Sequence, residues 1–138
     1  MISLHLSVLT RLFQFTQDQK YYDNAISTLN WWLSWAFAPD TGRIWDTITA
    51  PGCTYNRSGL QAWTYNSGVI LIGLADLYHI TGNETLLDLG RSIAYAAMLD
   101  FTRIGTGVLE ESCEHDTPVN GGPAGCPNDL VVFKGALM

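Results

Sequence analysis

The chain has 138 residues, 47% of them apolar and only 14% charged, with seven basic against thirteen acidic side chains and a net charge of −6. Seven scattered cations at a pI near 4.7 exclude a nucleic-acid binder, which needs clustered Lys and Arg to meet phosphate, and no apolar run approaches the roughly 18 residues of a membrane span. Because ordinary soluble domains are about 25% charged, part of the apolar surface is expected to face further protein rather than water.

The first predicted elements make a helical hairpin. Ile2, Leu6, Leu9 and Phe13 mark one helical stripe. The segment from Met1 to Thr10 is amphipathic and lacks the basic start and the small-residue cleavage site of a signal peptide. Gln17-Asp18-Gln19 turns the chain, and Tyr22, Ala25, Ile26, Leu29, Trp32 and Leu33 stripe a return helix. That helix should end near Ala38, since Pro39 disfavours helical geometry in the residue before it. Trp31, Trp32 and Trp35 span two faces of the return helix, which suits helix packing better than a stacking platform. A loop carrying Gly42-Arg-Ile-Trp-Asp46 follows.

A second hairpin is predicted further on. Trp63-Thr-Tyr-Asn-Ser-Gly68 opens an apolar run from Val69 to Tyr78, expected to be a helix buried on both sides. Gly82 is a natural left-handed stop. A last helix should run from about Glu84 to Asp100, with Leu86, Leu89, Ile93 and Ala97 inward.

The two units echo each other at an offset of 65 residues: Leu9, Leu12, Phe13, Thr16 and Asp23 answer to Leu74, Leu77, Tyr78, Thr81 and Asp88, and Gly42-Arg-Ile44 to Gly107-Val-Leu109. A tetratricopeptide solenoid repeats about every 34 residues, so this period does not fit one. It fits an all-α toroid, in which hairpins circle a centre and long loops gather at one rim. The whole chain, 1–138, reads as one partial domain: a first hairpin and loop over 1–65, a second hairpin and rim loop over 66–138.

Cys113 and Cys126 flank a loop rich in Pro, Gly and Asn, where a disulfide would stabilise by roughly 3 kcal/mol through loop closure. Cys53 is then left over, with a partner expected outside these 138 residues; three free thiols are the alternative. The sequons at Asn56 and Asn83 suit glycosylation and a secretory route.

Three segments carry a resemblance. Trp63-Thr-Tyr-Asn-Ser-Gly68 resembles the W-T-Y-N-x-G segment of glycoside hydrolase family 76, the endo-acting α-1,6-mannanases of fungi and bacteria, although the family usually has Gln where Ser67 stands. Gly107-Val-Leu-Glu-Glu-Ser-Cys-Glu114 resembles its G-V-L-x-E-x-C-E loop, and Asp129 with Phe133-Lys134-Gly135 resembles its D-x-x-x-F-K-G segment. The resemblance implies helical hairpins of an (α/α)6 toroid, here incomplete, and a retaining hydrolase or transglycosylase of α-1,6-mannan in the cell wall that needs no cofactor. It also assigns catalysis to two adjacent aspartates upstream of every matching segment. No Asp-Asp dipeptide occurs in this sequence. The chain is therefore expected to be an inactive piece of a secreted or wall-associated enzyme.

Candidate contacts to a sugar follow. Trp63, Tyr65 and Asn66 place two aromatics and an amide where a helix begins; rings pack on the C–H face of a pyranose while hydroxyl and amide bond its oxygens. The plainer reading makes the aromatics core residues and Asn66 an N-cap. Trp45 is a stacking candidate at the rim. Asp46, Glu110 and Glu111 occupy equivalent loop positions in the two units, where they could bind hydroxyls, face water, or supply the paired carboxyls that glycoside hydrolysis needs. Lys134 could pair with a carboxylate or bond sugar oxygens. The acidic run from Glu110 to Asp116 matches neither an EF-hand nor a zinc module, so no metal is expected. His5 and His79 stand singly on helices. Rival readings are a non-catalytic carbohydrate-binding module, another toroid enzyme such as a lyase or epimerase, and a helical scaffold for a protein partner.

Overall fold

The structure, a computed structural model, describes residues 2–46 and 62–114. Helices α1 (Ile2–Thr16) and α2 (Gln19–Trp35) form the first hairpin, and α3 (Thr64–Thr81) and α4 (Thr85–Phe101) the second. Between α2 and α3, the short strands β1 (Phe37–Ala38) and β2 (Arg43–Ile44) pair antiparallel, with Phe37 opposite Ile44. α1 packs on both α2 and α3, and α3 also packs on α4. The shared core is Leu6 and Leu9 of α1, Ala25, Leu29 and Trp32 of α2, Ile70, Leu74 and Leu77 of α3, and Ile93 of α4. Gly73 lets α1 and α3 approach closely, since a Cβ there would lie 2.8 Å from the Leu6 side chain.

The 65-residue echo is repeated bond for bond. Gln17 N–H donates to the Phe13 carbonyl at 2.8 Å, and Gly82 N–H to Tyr78 at 2.7 Å, both from left-handed backbone with φ of 57° and 68°. The Asp18 carboxylate accepts from Lys20 N–H at 3.1 Å and caps α2, a contribution of about 1 kcal/mol; at the equivalent place Asn83 Oδ1 accepts from Thr85 N–H at 3.1 Å, one residue ahead of Glu84, which precedes α4 and makes no side-chain cap bond. In the first loop Gly42 N–H donates to Ala38 and Trp45 N–H to Ala36, at 2.8 and 2.9 Å; in the second Gly107 N–H donates to Arg103 and Glu110 N–H to Phe101, at 3.1 and 2.7 Å. Thr102 bridges Leu109 antiparallel, as Phe37 pairs with Ile44. One sequence pattern has therefore built one hairpin twice.

Three expectations shift. α2 ends at Trp35 rather than near Ala38, because Phe37 and Ala38 are already extended in β1; the restriction imposed by Pro39 is met by a strand instead of a helix end. α3 begins at Thr64, so Asn66 lies in its first turn and Trp63 is the residue before it. Ile2 sits at the edge of the α1 stripe and is 38% exposed. Gly82 ends α3 as expected, and Leu86, Leu89, Ile93 and Ala97 turn inward.

Candidate functional site at the start of α3

The first turn of a helix leaves N–H groups with no partner inside the helix. At α3 two carboxylates from the two loops meet that turn. Glu111, fully buried, accepts from Thr64 N–H at 3.3 and 3.2 Å through its two oxygens, and also from the Thr64 hydroxyl. Its own N–H donates to Glu114 Oε2 at 2.7 Å, inside the short 3-10 turn Ser112–Glu114 that ends the described chain. Asp46 reaches the next two residues: its Oδ1 accepts from the Tyr65 hydroxyl and, at 3.2 Å, from the Asn66 amide. Burial first, and the neighbouring Asp46 carboxylate second, push the Tyr65 phenol well above its usual range. Tyr65 therefore stays a neutral donor at any physiological pH.

Asn66 lines two hollows. One, of about 230 Å³, is lined by Trp31, Trp32, Trp45, Asp46 and Asn66 with the start of α1. The other, of about 160 Å³, is lined by Ser3, Leu4, Tyr65, Asn66 and Val69. Trp45 Nε1 is buried and has no hydrogen-bond partner among the described residues. The site thus offers an indole, a phenol, a carboxylate and an amide along one rim, which is the chemistry of a neutral polyhydroxylated ligand.

The predicted site residues that fall within the described chain can now be placed. Asp46, Tyr65 and Asn66 come together, with Trp45 beside them. Trp63 is only 6% exposed and acts as a core aromatic. Glu111 is committed to Thr64 inside the protein, so it is a brace rather than a surface group. Glu110 is buried against its own loop, its Oε1 2.5 Å from the Arg103 guanidinium. Cys113 is disulfide-bonded; Cys126, Lys134 and Asn56 lie outside the described residues. Asn83 is exposed at the α3–α4 turn. Among the described residues no group of three or more His, Cys, Asp or Glu could hold a metal, and no helix is long and apolar enough to cross a membrane. Thr64 was not singled out from sequence. Its signal was there in the equivalence of Asp46 and Glu111, which sends two carboxylates to one helix start.

Tandem helical hairpins whose loops converge on the start of α3 fit the α/α-toroid class, and solved structures agree. A GH76 alpha-mannanase of Bacteroides thetaiotaomicron superposes with a TM-score of 0.69 at 22% identity, covering 77% of this chain and 28% of that one. A family 76 glycoside hydrolase from a bovine strain of the same species gives 0.59 at 30% identity, over 67% of this chain and 20% of that one. The fold is that of hairpins from an (α/α)6 toroid. The model of glycosyl hydrolase family 76 matches residues 3–138, and the chain belongs to that family. It is also 28% identical over 131 residues to a Schizosaccharomyces pombe protein assigned as a mannan endo-1,6-alpha-mannosidase, spanning 27% of that relative's length.

Proposed function

We propose that this chain is a piece of a glycoside hydrolase acting on α-1,6-linked mannan, exported by the secretory route and used in cell-wall polysaccharide processing. The observation that carries the reading is the Asp46 carboxylate held between the Tyr65 hydroxyl and the Asn66 amide, beside Trp45 at the rim of a family 76 fold. A carboxylate fixed by two neutral donors can accept from a sugar hydroxyl, while the Asn66 amide and the Trp45 indole N–H donate to sugar oxygens. Nothing in this arrangement attacks the anomeric carbon. Hydrolysis calls for two carboxyl groups flanking the scissile bond, and the family's adjacent aspartate pair is missing from these 138 residues. Glu110 and Glu111 are occupied by Arg103 and Thr64, which supports binding without cleavage by this chain alone.

The test is to incubate the purified chain with α-1,6-mannan and, in parallel, with an α-1,4-glucan, measuring retention of each polysaccharide and release of reducing ends. Retention of mannan only, lost on Tyr65→Ala and without new reducing ends, is the expected result. Turnover abolished by Asp46→Asn would overturn the non-catalytic part, and equal retention of both polymers would overturn the substrate class.

A further inference from the structure

The turn between α3 and α4 holds a polar group that the candidate site does not use. Asn83 Oδ1 accepts from Thr85 N–H at 3.1 Å and from the Thr85 hydroxyl at 2.8 Å, while the Asn83 backbone N–H donates to the Thr81 hydroxyl at 3.2 Å. Both bonds to the Asn83 side chain fall on its oxygen, so among the described residues the amide nitrogen Nδ2 has no partner. Residues Thr81 to Thr85 are all exposed. A neighbouring hairpin does not cover such a turn: Gln17, Gln19 and Lys20, at the equivalent turn, stay exposed although α3 packs along α1. Asn83-Glu84-Thr85 is an N-glycosylation triplet with no Pro at its middle position. The equivalent Asp18-Gln19-Lys20 lacks both the acceptor Asn and the hydroxyl.

We propose that Asn83 is a glycosylation site, the acceptor for a polyprenyl-diphosphate-linked oligosaccharide; this rests on the secretory export proposed above. In the transfer, Asn83 Nδ2 bonds to the anomeric carbon of the donor and the C–O bond to the diphosphate breaks. The lipid diphosphate leaves, and one amide proton is released. The Thr85 hydroxyl holds the amide by its oxygen and leaves the nitrogen available for that bond. Helix α3 is 18 residues long, so at about 1.5 Å each roughly 25 Å separates this turn from Tyr65 and Asn66. A glycan on Asn83 therefore stands at the opposite end of α3 from the candidate site, where its bulk leaves the rim open to a polysaccharide.

The experiment is translation of the chain, behind a cleavable leader, into membrane vesicles that carry the transferase and its lipid-linked donor. Only chain protected from added protease is scored. An amidase that removes N-linked glycans converts an occupied asparagine to aspartate, and a parallel without the amidase subtracts spontaneous deamidation. Tryptic cleavage after Arg57 and Arg91 places Asn83 in a peptide separate from Asn56. Asn83 should be converted in most of the protected wild type and of Thr85→Ser, which keeps the hydroxyl, and in none of Thr85→Ala. Protected wild type with Asn83 unconverted overturns the proposal, and so does conversion that persists in Thr85→Ala. Because the leader supplies entry, either result concerns the acceptor alone; the export route and mannan binding stand or fall by their own tests.

Discussion

Asp46 and Glu111 stand at the same place in the two repeats, 65 residues apart, yet both place their carboxylates on the first turn of α3. Glu111 arrives from the helix's own unit and is buried under Thr64; Asp46 arrives from the preceding unit and takes Tyr65 and Asn66 at the rim. One position has thus become a buried brace in one copy and a carboxylate at the candidate site in the other.

The brace makes a stability prediction. Removing a buried acceptor leaves the Thr64 N–H and hydroxyl without a partner, at about 3 kcal/mol for bonds to a charged group. Glu111→Ala should lower unfolding free energy in urea by that amount. Asp46→Ala, at a half-exposed rim, should cost about 1 kcal/mol. Equal costs for the two would show that Glu111 is not the stronger anchor.

Gly42 and Gly107 separate backbone strain from crowding. Both are left-handed, with φ of 73° and 68°, so alanine strains either by about 1 kcal/mol. At Gly42 a Cβ would also sit 2.9 Å from Ala96 Cβ and from the Ser92 carbonyl, whereas nothing lies within 4 Å at Gly107. Gly42→Ala should therefore cost about 2–3 kcal/mol and Gly107→Ala about 1 kcal/mol. Thermal unfolding of the pair decides it, and matching losses would contradict the packing of the first loop on α4.

The bidentate pair between Arg43 and Asp100, with both N–O distances at 2.6 Å, ties that same loop to α4. Its geometry is good but Arg43 is about half exposed, so Arg43→Ala should cost no more than about 1 kcal/mol. The loss should shrink in high salt. A loss unaffected by salt would mean that packing, rather than charge, holds the loop.

Tyr65 carries a pH signature. Its phenol is raised by burial and by Asp46, so the neutral form is favoured in the folded state. The sign follows: this stabilisation is complete below the ordinary tyrosine value of about 10 and is lost as pH climbs above it towards the raised folded value. Ultraviolet titration should find one phenolate that forms only when the protein unfolds, and Tyr65→Phe should remove it. A Tyr65 that ionises with the exposed tyrosines would contradict the hydrogen bond to Asp46.

Much of the fold was legible because helical stripes and turn residues are local. The 65-residue echo foretold two like hairpins, and Gly82 foretold the end of α3. The placement of site residues was less legible, since burial is not local. Trp63 and Tyr65 are two apart in sequence, but the extended backbone at Trp63 turns its indole into the core while Tyr65 reaches Asp46 at the rim. Glu110 and Glu111 are adjacent and diverge, one to Arg103 in its own loop and the other across to Thr64. The start of α3 at Thr64 was hidden because Trp63 makes no side-chain cap bond, so the usual Ser, Thr, Asp or Asn signal was missing.

The central claim is that the rim at Asp46, Tyr65 and Asn66 binds α-1,6-linked mannose. The most direct measurement is a nitrogen–proton NMR titration of the chain with an α-1,6-mannooligosaccharide. It follows the Trp45 indole N–H, the buried donor with no partner among the described residues, and the Asn66 side-chain amide. Saturable shifts of both signals are expected, weakened about tenfold in Tyr65→Phe for the loss of one hydrogen bond. Unmoved Trp45 and Asn66 signals at millimolar sugar, or shifts confined to residues away from the start of α3, would contradict it.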